Sequence, residues 1–142
     1  MNKKVAIFPG TFEFFHEGHL DILKKGLNLF ELIYIVVGNN FDKDSSPLDI
    51  RYQKILENNF IKKNQRIKVI KNSGLTINVL KKLKCNYIIR GIRNHNDIQY
   101  EIKLYDAYKL KSKKFEVIYF LSEKNKRDIS SSKIKKELKN EK

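Results

Sequence analysis

Apolar residues along this chain fall into five short runs separated by segments with helical three-and-four spacing. Val5-Ala6-Ile7-Phe8 predicts a buried strand, ended by Pro9-Gly10, because proline lacks an amide donor and glycine permits a sharp turn. After Gly18-His19, the residues Leu20, Leu23, Leu27 and Phe30 mark one face of a helix. Leu32 to Val37 has no polar face, which suits a strand in the middle of a parallel sheet covered on both sides. An asparagine- and serine-rich loop over 38–47 leads into a helix from Leu48 to Phe60, with Leu48, Tyr52, Ile55, Leu56 and Phe60 inward. Arg66 to Ile70 alternates and predicts a third strand, nearer an edge. Leu75 to Leu83 predicts a short helix, and Asn86 to Ile89 a fourth strand running into Arg90-Gly91-Ile92-Arg93. Asp97 is placed as the cap of the next helix, whose inward residues are Ile98, Ile102, Tyr105 and Tyr108. Phe115 to Leu121 is the fifth strand, and Ile129-Ser130-Ser131-Ser132 leads into a last helix from Lys133 to about Lys139.

Five strands alternating with five helices predict an α/β fold: a Rossmann-like, doubly wound, five-stranded parallel sheet with helices on both faces, in a single domain over residues 1–142. Such sheets bind ligands outside the carboxyl ends of their strands, where the strand order reverses. The polar clusters all fall at that end. Thr11 to His19 follow the first strand, Lys43 the second, Ser73 to Thr76 the third, Arg90 and Arg93 the fourth, and the serines the fifth. The first of these is the sharpest. Strand, tight loop and helix point free backbone amides at an anion, and His16 and His19 sit where that anion would lie. Two imidazoles three apart can share a zinc, but no third ligand accompanies them. Phosphate binding is favoured, and a structural reading in which the histidines cap the helix stays open beside it.

Composition changes the picture in two places. The net charge of +14 comes from 30 basic residues against 16 acidic ones, which on its face suits a nucleic-acid surface. Only Arg51, Arg66, Arg90, Arg93 and Arg127 are arginines, the lysines run from end to end, and alanine occurs only at Ala6 and Ala107. That pattern is a drift in composition over solvated faces, so no nucleic acid is expected as a partner. The lone Cys85 excludes an internal disulfide and suits a reducing compartment. No apolar run is long enough for a signal peptide or a bilayer span, so a soluble, cytoplasmic protein with no membrane partner is expected.

Four ordered segments carry a resemblance. Phe-Pro-Gly-Thr-Phe-Glu…His-Glu-Gly-His at 8–19 resembles the (T/H)-x-G-H signature of the nucleotidyltransferase superfamily. Ile89-Arg90-Gly91-Ile92-Arg93, Asp97-Ile98-Gln99-Tyr100-Glu101 and Ile129-Ser130-Ser131-Ser132 resemble further motifs of its phosphopantetheine adenylyltransferase family. The resemblance implies transfer of AMP from ATP to 4′-phosphopantetheine, giving dephospho-coenzyme A and pyrophosphate, with Mg2+ on the phosphates and no metal ligands from protein side chains. It implies that His19 binds ATP and stabilises the transition state, with His16 beside it where this family usually has threonine. Thr11 would contact both substrates. Lys43 and Arg90 would hold the phosphopantetheine phosphate, and Thr76 would lie along the pantetheine arm. Phe12, Gly91, Ile92, Arg93, Glu101, Ile129, Ser130, Ser131 and Ser132 would contact ATP, as would the more divergent Lys126, Arg127 and Asp128. Family members are hexamers, which makes a homo-oligomer the expectation. The alternatives are another small-molecule nucleotidyltransferase, such as one acting on nicotinate mononucleotide, and a basic nucleic-acid-binding module. The chain departs from the family at Glu13, where aspartate is usual, at Phe14-Phe15, and in a short C-terminal tail.

Overall fold

A computed structural model describes residues 4–39 and 45–127. Its sheet has five strands, β1 (Val5–Gly10), β2 (Leu32–Gly38), β3 (Ile67–Asn72), β4 (Tyr87–Ile92) and β5 (Glu116–Leu121), all parallel, in the order β3-β2-β1-β4-β5. Sequence order runs outward from β1 to one edge and then restarts at β4 on its other side. The switch point therefore lies between β1 and β4.

Helices α1 (Glu17–Gly26), α2 (Leu48–Leu56) and α3 (Asn59–Lys63) bury apolar side chains with Ala6, Phe8, Ile33, Ile35, Val37 and Ile89. Helices α4 (Thr76–Leu83) and α5 (His95–Lys111) accompany a second cluster with Ile7, Val36 and Ile88. Neighbours along one strand, such as Ile88 and Ile89, thus enter opposite cores, the two-residue alternation of a sheet covered on both faces. The apolar runs of β1, β2 and β4 have no polar face for that reason.

The structure differs from the pattern-based expectation at several elements. β1 does not stop before Pro9; it stays in register with β2 as far as Gly10, opposite Val37. β4, by contrast, is bridged to β1 only through Ile7 and Ile88. Pro9 has no N–H to offer, and its carbonyl takes a guanidinium N–H of Arg90 at 3.0 Å, so a side chain fills the opening between the two strands. β4 likewise absorbs Arg90, Gly91 and Ile92, which pair with Tyr119, Phe120 and Leu121 of β5. The helix expected over Leu48–Phe60 is two helices, because the Asn58 side chain accepts from the Phe60 and Ile61 amides and starts α3. Asn94, not Asp97, caps α5: its Oδ1 accepts from the Asp97 amide at 3.1 Å. Nor do Ile98 and Ile102 face the core, being 41% and 57% exposed, whereas Glu101 between them is 4% exposed. Tyr105 and Tyr108 do pack inward, edge-on to Phe115.

Candidate active site

The loop after β1 turns at Phe12, whose φ of 51° is left-handed and whose ring is buried edge-on to Phe8. Helix α1 then starts with a reciprocal cap built from two histidines. His16 Nδ1 accepts from the Gly18 amide at 3.1 Å, and the His16 amide donates to His19 Nδ1 at 3.1 Å. The imidazoles stack with centroids 3.8 Å apart. Gly18 is required between them, since a Cβ there would come within 2.9 Å of the His16 ring.

A backbone amide can only donate, so both Nδ1 atoms are unprotonated and each neutral ring carries its proton on Nε2. Burial, then the neighbouring Arg93 charge, lowers the His16 pKa to about 4. Burial and the proximity of His16 and Arg93 likewise push His19 well below the usual histidine range. Both rings are therefore neutral at neutral pH, with Nε2–H as the available donor. Phe15 stacks on His19 at 5.2 Å and Phe12 meets it edge-on at 5.0 Å, which fixes the imidazole plane. The capping role that the sequence left open is thus observed; it uses Nδ1 of each ring and does not engage Nε2.

The other wall of the switch point comes from β4. Arg90 places Nε and Nη2 on the Glu101 carboxylate, with Nη2 to Oε2 at 3.0 Å. Burial opposes the Arg90 charge, but the Glu101 hydrogen bonds and charge outweigh it and raise the pKa above the arginine norm. Two residues expected to touch different substrates are thus bonded to each other. Arg93 lies just past the end of β4, where Asp97 Oδ2 accepts from the Arg93 amide at 2.8 Å and from its Nε at 3.0 Å. Burial would raise the Asp97 pKa, but the Arg93 contacts prevail and lower it. Gly91 allows α1 to lie against β4, since a Cβ there would approach Ile22 to 2.8 Å.

Thr76 opens α4 at the same rim, half-buried. Lys126, in a 3-10 turn over Lys124–Lys126, reaches Glu17 in the first turn of α1 at 3.6 Å. Arg127 turns back to the Ser122 carbonyl at 2.9 Å. Thr11, Phe12, His16 and His19 therefore share the β1 side of the switch point, Arg90 to Arg93 the β4 side, and Lys126 comes to α1. Lys43, Asp128, Ile129, Ser130, Ser131 and Ser132 lie outside the described residues.

Pattern reading missed two residues that shape this rim. Glu13 accepts from the Ser46 amide, at 3.0 Å through Oε2, and so ties the first loop to the segment before α2. Arg51, 1% exposed, bonds the carbonyls of Thr11, Gly38 and Ser46. A usable signal was its identity: an arginine at an inward position of α2, in a chain whose basic residues are mostly lysine. Among the described residues no cluster of three or more His, Cys, Asp or Glu could hold a metal.

The chain is an open parallel sheet with a histidine-capped helix at its switch point, and the comparisons with known proteins make it a nucleotidyltransferase. The cytidylyltransferase-like family model matches residues 7–137. Curated relatives include the phosphopantetheine adenylyltransferases of Malacoplasma penetrans, 48% identical over 93% of this chain and 88% of the relative, and of Mycoplasma capricolum, 44% identical over 91% and 92%. The chain belongs to the phosphopantetheine adenylyltransferase family. Among solved structures, a bifunctional NMN adenylyltransferase/ADP ribose pyrophosphatase from Francisella tularensis superposes with a TM-score of 0.67 at 16% identity, over 99% of this chain and 43% of that one. A lipopolysaccharide core biosynthesis protein from Thermoplasma volcanium gives 0.61 at 18% identity, over 86% and 99%. These two likenesses show the fold.

Proposed function

We propose that this protein transfers the adenylyl group of ATP to 4′-phosphopantetheine, giving dephospho-coenzyme A and pyrophosphate, as a step of coenzyme A biosynthesis. The observation that carries the reading is the histidine pair at the switch point, two neutral rings with Nδ1 held by backbone amides and Nε2–H available to phosphate. An oxygen of the acceptor phosphate bonds to the α-phosphorus as the bond from that phosphorus to the β-bridging oxygen breaks, and pyrophosphate leaves. The nucleophile is already an anion, so no general base is needed. Charge grows on oxygens around the α-phosphorus, and preorganised donors there lower the barrier.

His19 is the transition-state donor in this scheme and His16 a second donor to the triphosphate, with the α1 amides and dipole behind both. Thr11 and Phe12 lie between the two phosphates, and Gly91, Ile92 and Arg93 serve ATP from β4. Among the described residues Arg90 commits three of its five N–H groups, to Glu101 and Pro9. Two remain for the acceptor phosphate, with Lys43 as the second cation and Thr76 along the arm. Glu101 then acts by orienting Arg90 as well as by facing ATP. Ile129 to Ser132, with Lys126, Arg127 and Asp128, complete the ATP side. Mg2+ fits this donor set only on the phosphates, since Glu101, Asp97 and Glu13 are each engaged by protein donors; bound there, it would offset triphosphate charge.

Residues 1–142 act as one adenylyltransferase unit in this reading, in the cytoplasm, where ATP and reduced thiols are at hand. Among the described residues no helix is long and apolar enough to cross a membrane. Assembly into a homohexamer is supported by the outer face of α5 and β5. Ile98, Ile102, Leu110 and Leu121 are exposed there, beside an open groove of about 290 Å³ lined by Ile92, Ile98, Glu101, Ile102, Tyr105 and Tyr119. The functional test is an acceptor panel with ATP and magnesium, scored for pyrophosphate. Turnover of 4′-phosphopantetheine and not of nicotinate mononucleotide is expected; the reverse would overturn the acceptor while leaving adenylyl transfer standing.

A further inference from the structure

We propose that Arg51 is a positioning residue for adenylyl transfer, acting through the peptide between Thr11 and Phe12. The proposal rests on the reading of that peptide as part of the phosphate site. Arg51 projects from the first turn of α2 and is 1% exposed. Its guanidinium joins three segments at the carboxyl rim of the sheet. Nη1 donates to the Thr11 carbonyl at 2.7 Å and to that of Gly38, Nη2 to Asn39 Oδ1 at 2.6 Å, and Nε to the Ser46 carbonyl at 2.8 Å. Glu13, two residues beyond Thr11, holds the same segment from the other side through the Ser46 amide.

The consequence follows from peptide planarity. In a trans peptide the C=O and the following N–H point in opposite directions. Arg51 draws the Thr11 carbonyl inward, so the Phe12 amide is aimed away from the guanidinium. The left-handed φ of 51° at Phe12 turns the chain immediately after that amide, and left-handed residues of this kind occur in the backbone concavities that bind anions. A guanidinium is suited to this task because it can hold several acceptors in one plane, whereas a lysine ammonium is a point donor on a flexible stem. The same fork fixes Gly38 and Asn39, at the end of β2. One buried side chain thereby sets the position of the loop after β1 relative to the end of the neighbouring strand.

The test pairs Arg51→Lys with a resonance that activity does not report. Protein labelled with 15N-phenylalanine gives a sparse amide spectrum, since the chain has nine phenylalanines, and Phe12→Leu assigns the relevant peak. In the wild type, ATP with magnesium should shift the Phe12 amide. In Arg51→Lys with native circular dichroism, that shift should vanish, KM for ATP should rise about tenfold, and kcat/KM should fall about a hundredfold, the scale of an ångström-sized misplacement. A merely structural role would lower thermal stability and scale kcat by the folded fraction, with KM and the Phe12 shift unmoved; that result overturns the proposal. If Arg51→Lys does not fold, Asn39→Ala, which removes one acceptor, should raise KM for ATP about two- to fivefold, the scale of one hydrogen bond; an unchanged KM would overturn the proposal equally. A wild type that ignores phosphopantetheine would sink the acceptor assignment, while the ATP-induced Phe12 shift would still decide the part played by Arg51.

Discussion

The histidine cap makes an acid-sensitive prediction at the level of single residues. His16 titrates near 4 in the folded chain against an ordinary 6.5, so between those values the unfolded state binds a proton that the folded state excludes. Stability is therefore complete above about 6.5 and lost progressively as pH falls toward 4, with His19 shifted the same way. Thermal denaturation of the ligand-free protein across that window should show the loss, and His16→Asn, which can still cap, should flatten it; an unchanged slope would contradict the cap. Arg90 and Glu101 give a second case. Removing one member of a buried ion pair strands the other, at a cost of about 3–5 kcal/mol. Arg90→Ala should accordingly lower the denaturation midpoint sharply, and Arg90→Met with Glu101→Leu should recover much of it. If the double variant were as unstable as the sum of the singles, the pairing would carry no coupling. The arginines also show what residue identity revealed. In a chain that uses lysine for its surface, all five arginines hold a backbone carbonyl or a carboxylate through the guanidinium. Their number was legible in the sequence, but which atoms they hold was not, because Arg51 and Arg66 mostly hold main-chain carbonyls, several of them 35 or more residues away.

At the scale of elements, strand faces and helix faces follow from two periodicities, and the departures have local causes. The runs that became β1, β2 and β4 were legible because both faces of each are buried, leaving no polar interruption. Helix α5 was misread for a physical reason: three-and-four spacing marks an apolar stripe but not what covers it. Ile98 and Ile102 belong to an outer groove, while a carboxylate takes the buried position. The break at Asn58 was hidden because Phe60 and Ile61 continue an apolar pattern through a cap. Close packing of α1 on β4 yields a prediction. Gly91→Ala would drive a methyl into Ile22 and should cost about 1–3 kcal/mol as overpacking, measurable as a lowered urea midpoint at unchanged slope. Unaltered stability would mean that Ile22 has room to move and that the glycine serves another purpose.

For the whole molecule, the doubly wound order brings the loops after β1 and β4 to one rim although about 80 residues separate them in sequence. The motifs at 8–19 and 89–93 announced that convergence; the clamp from α2 across the same rim was not announced, since no motif marks it. Assembly belongs to this scale too. For the proposed homohexamer, Ile102→Glu on the exposed α5 face is expected to yield smaller species than the wild type in sedimentation velocity; an unchanged sedimentation coefficient would contradict the use of that face in assembly. The central claim is that the fold presents a neutral His19 as a donor to the reacting phosphate. It is tested most directly by the turnover of His19→Ala at saturating ATP and 4′-phosphopantetheine, with ATP affinity measured alongside by calorimetry. Loss of one preorganised donor predicts turnover reduced about a hundred- to a thousandfold, equivalent to about 2.7–4 kcal/mol, with ATP affinity changed far less. Near-normal turnover, or a defect confined to ATP affinity, would contradict the account.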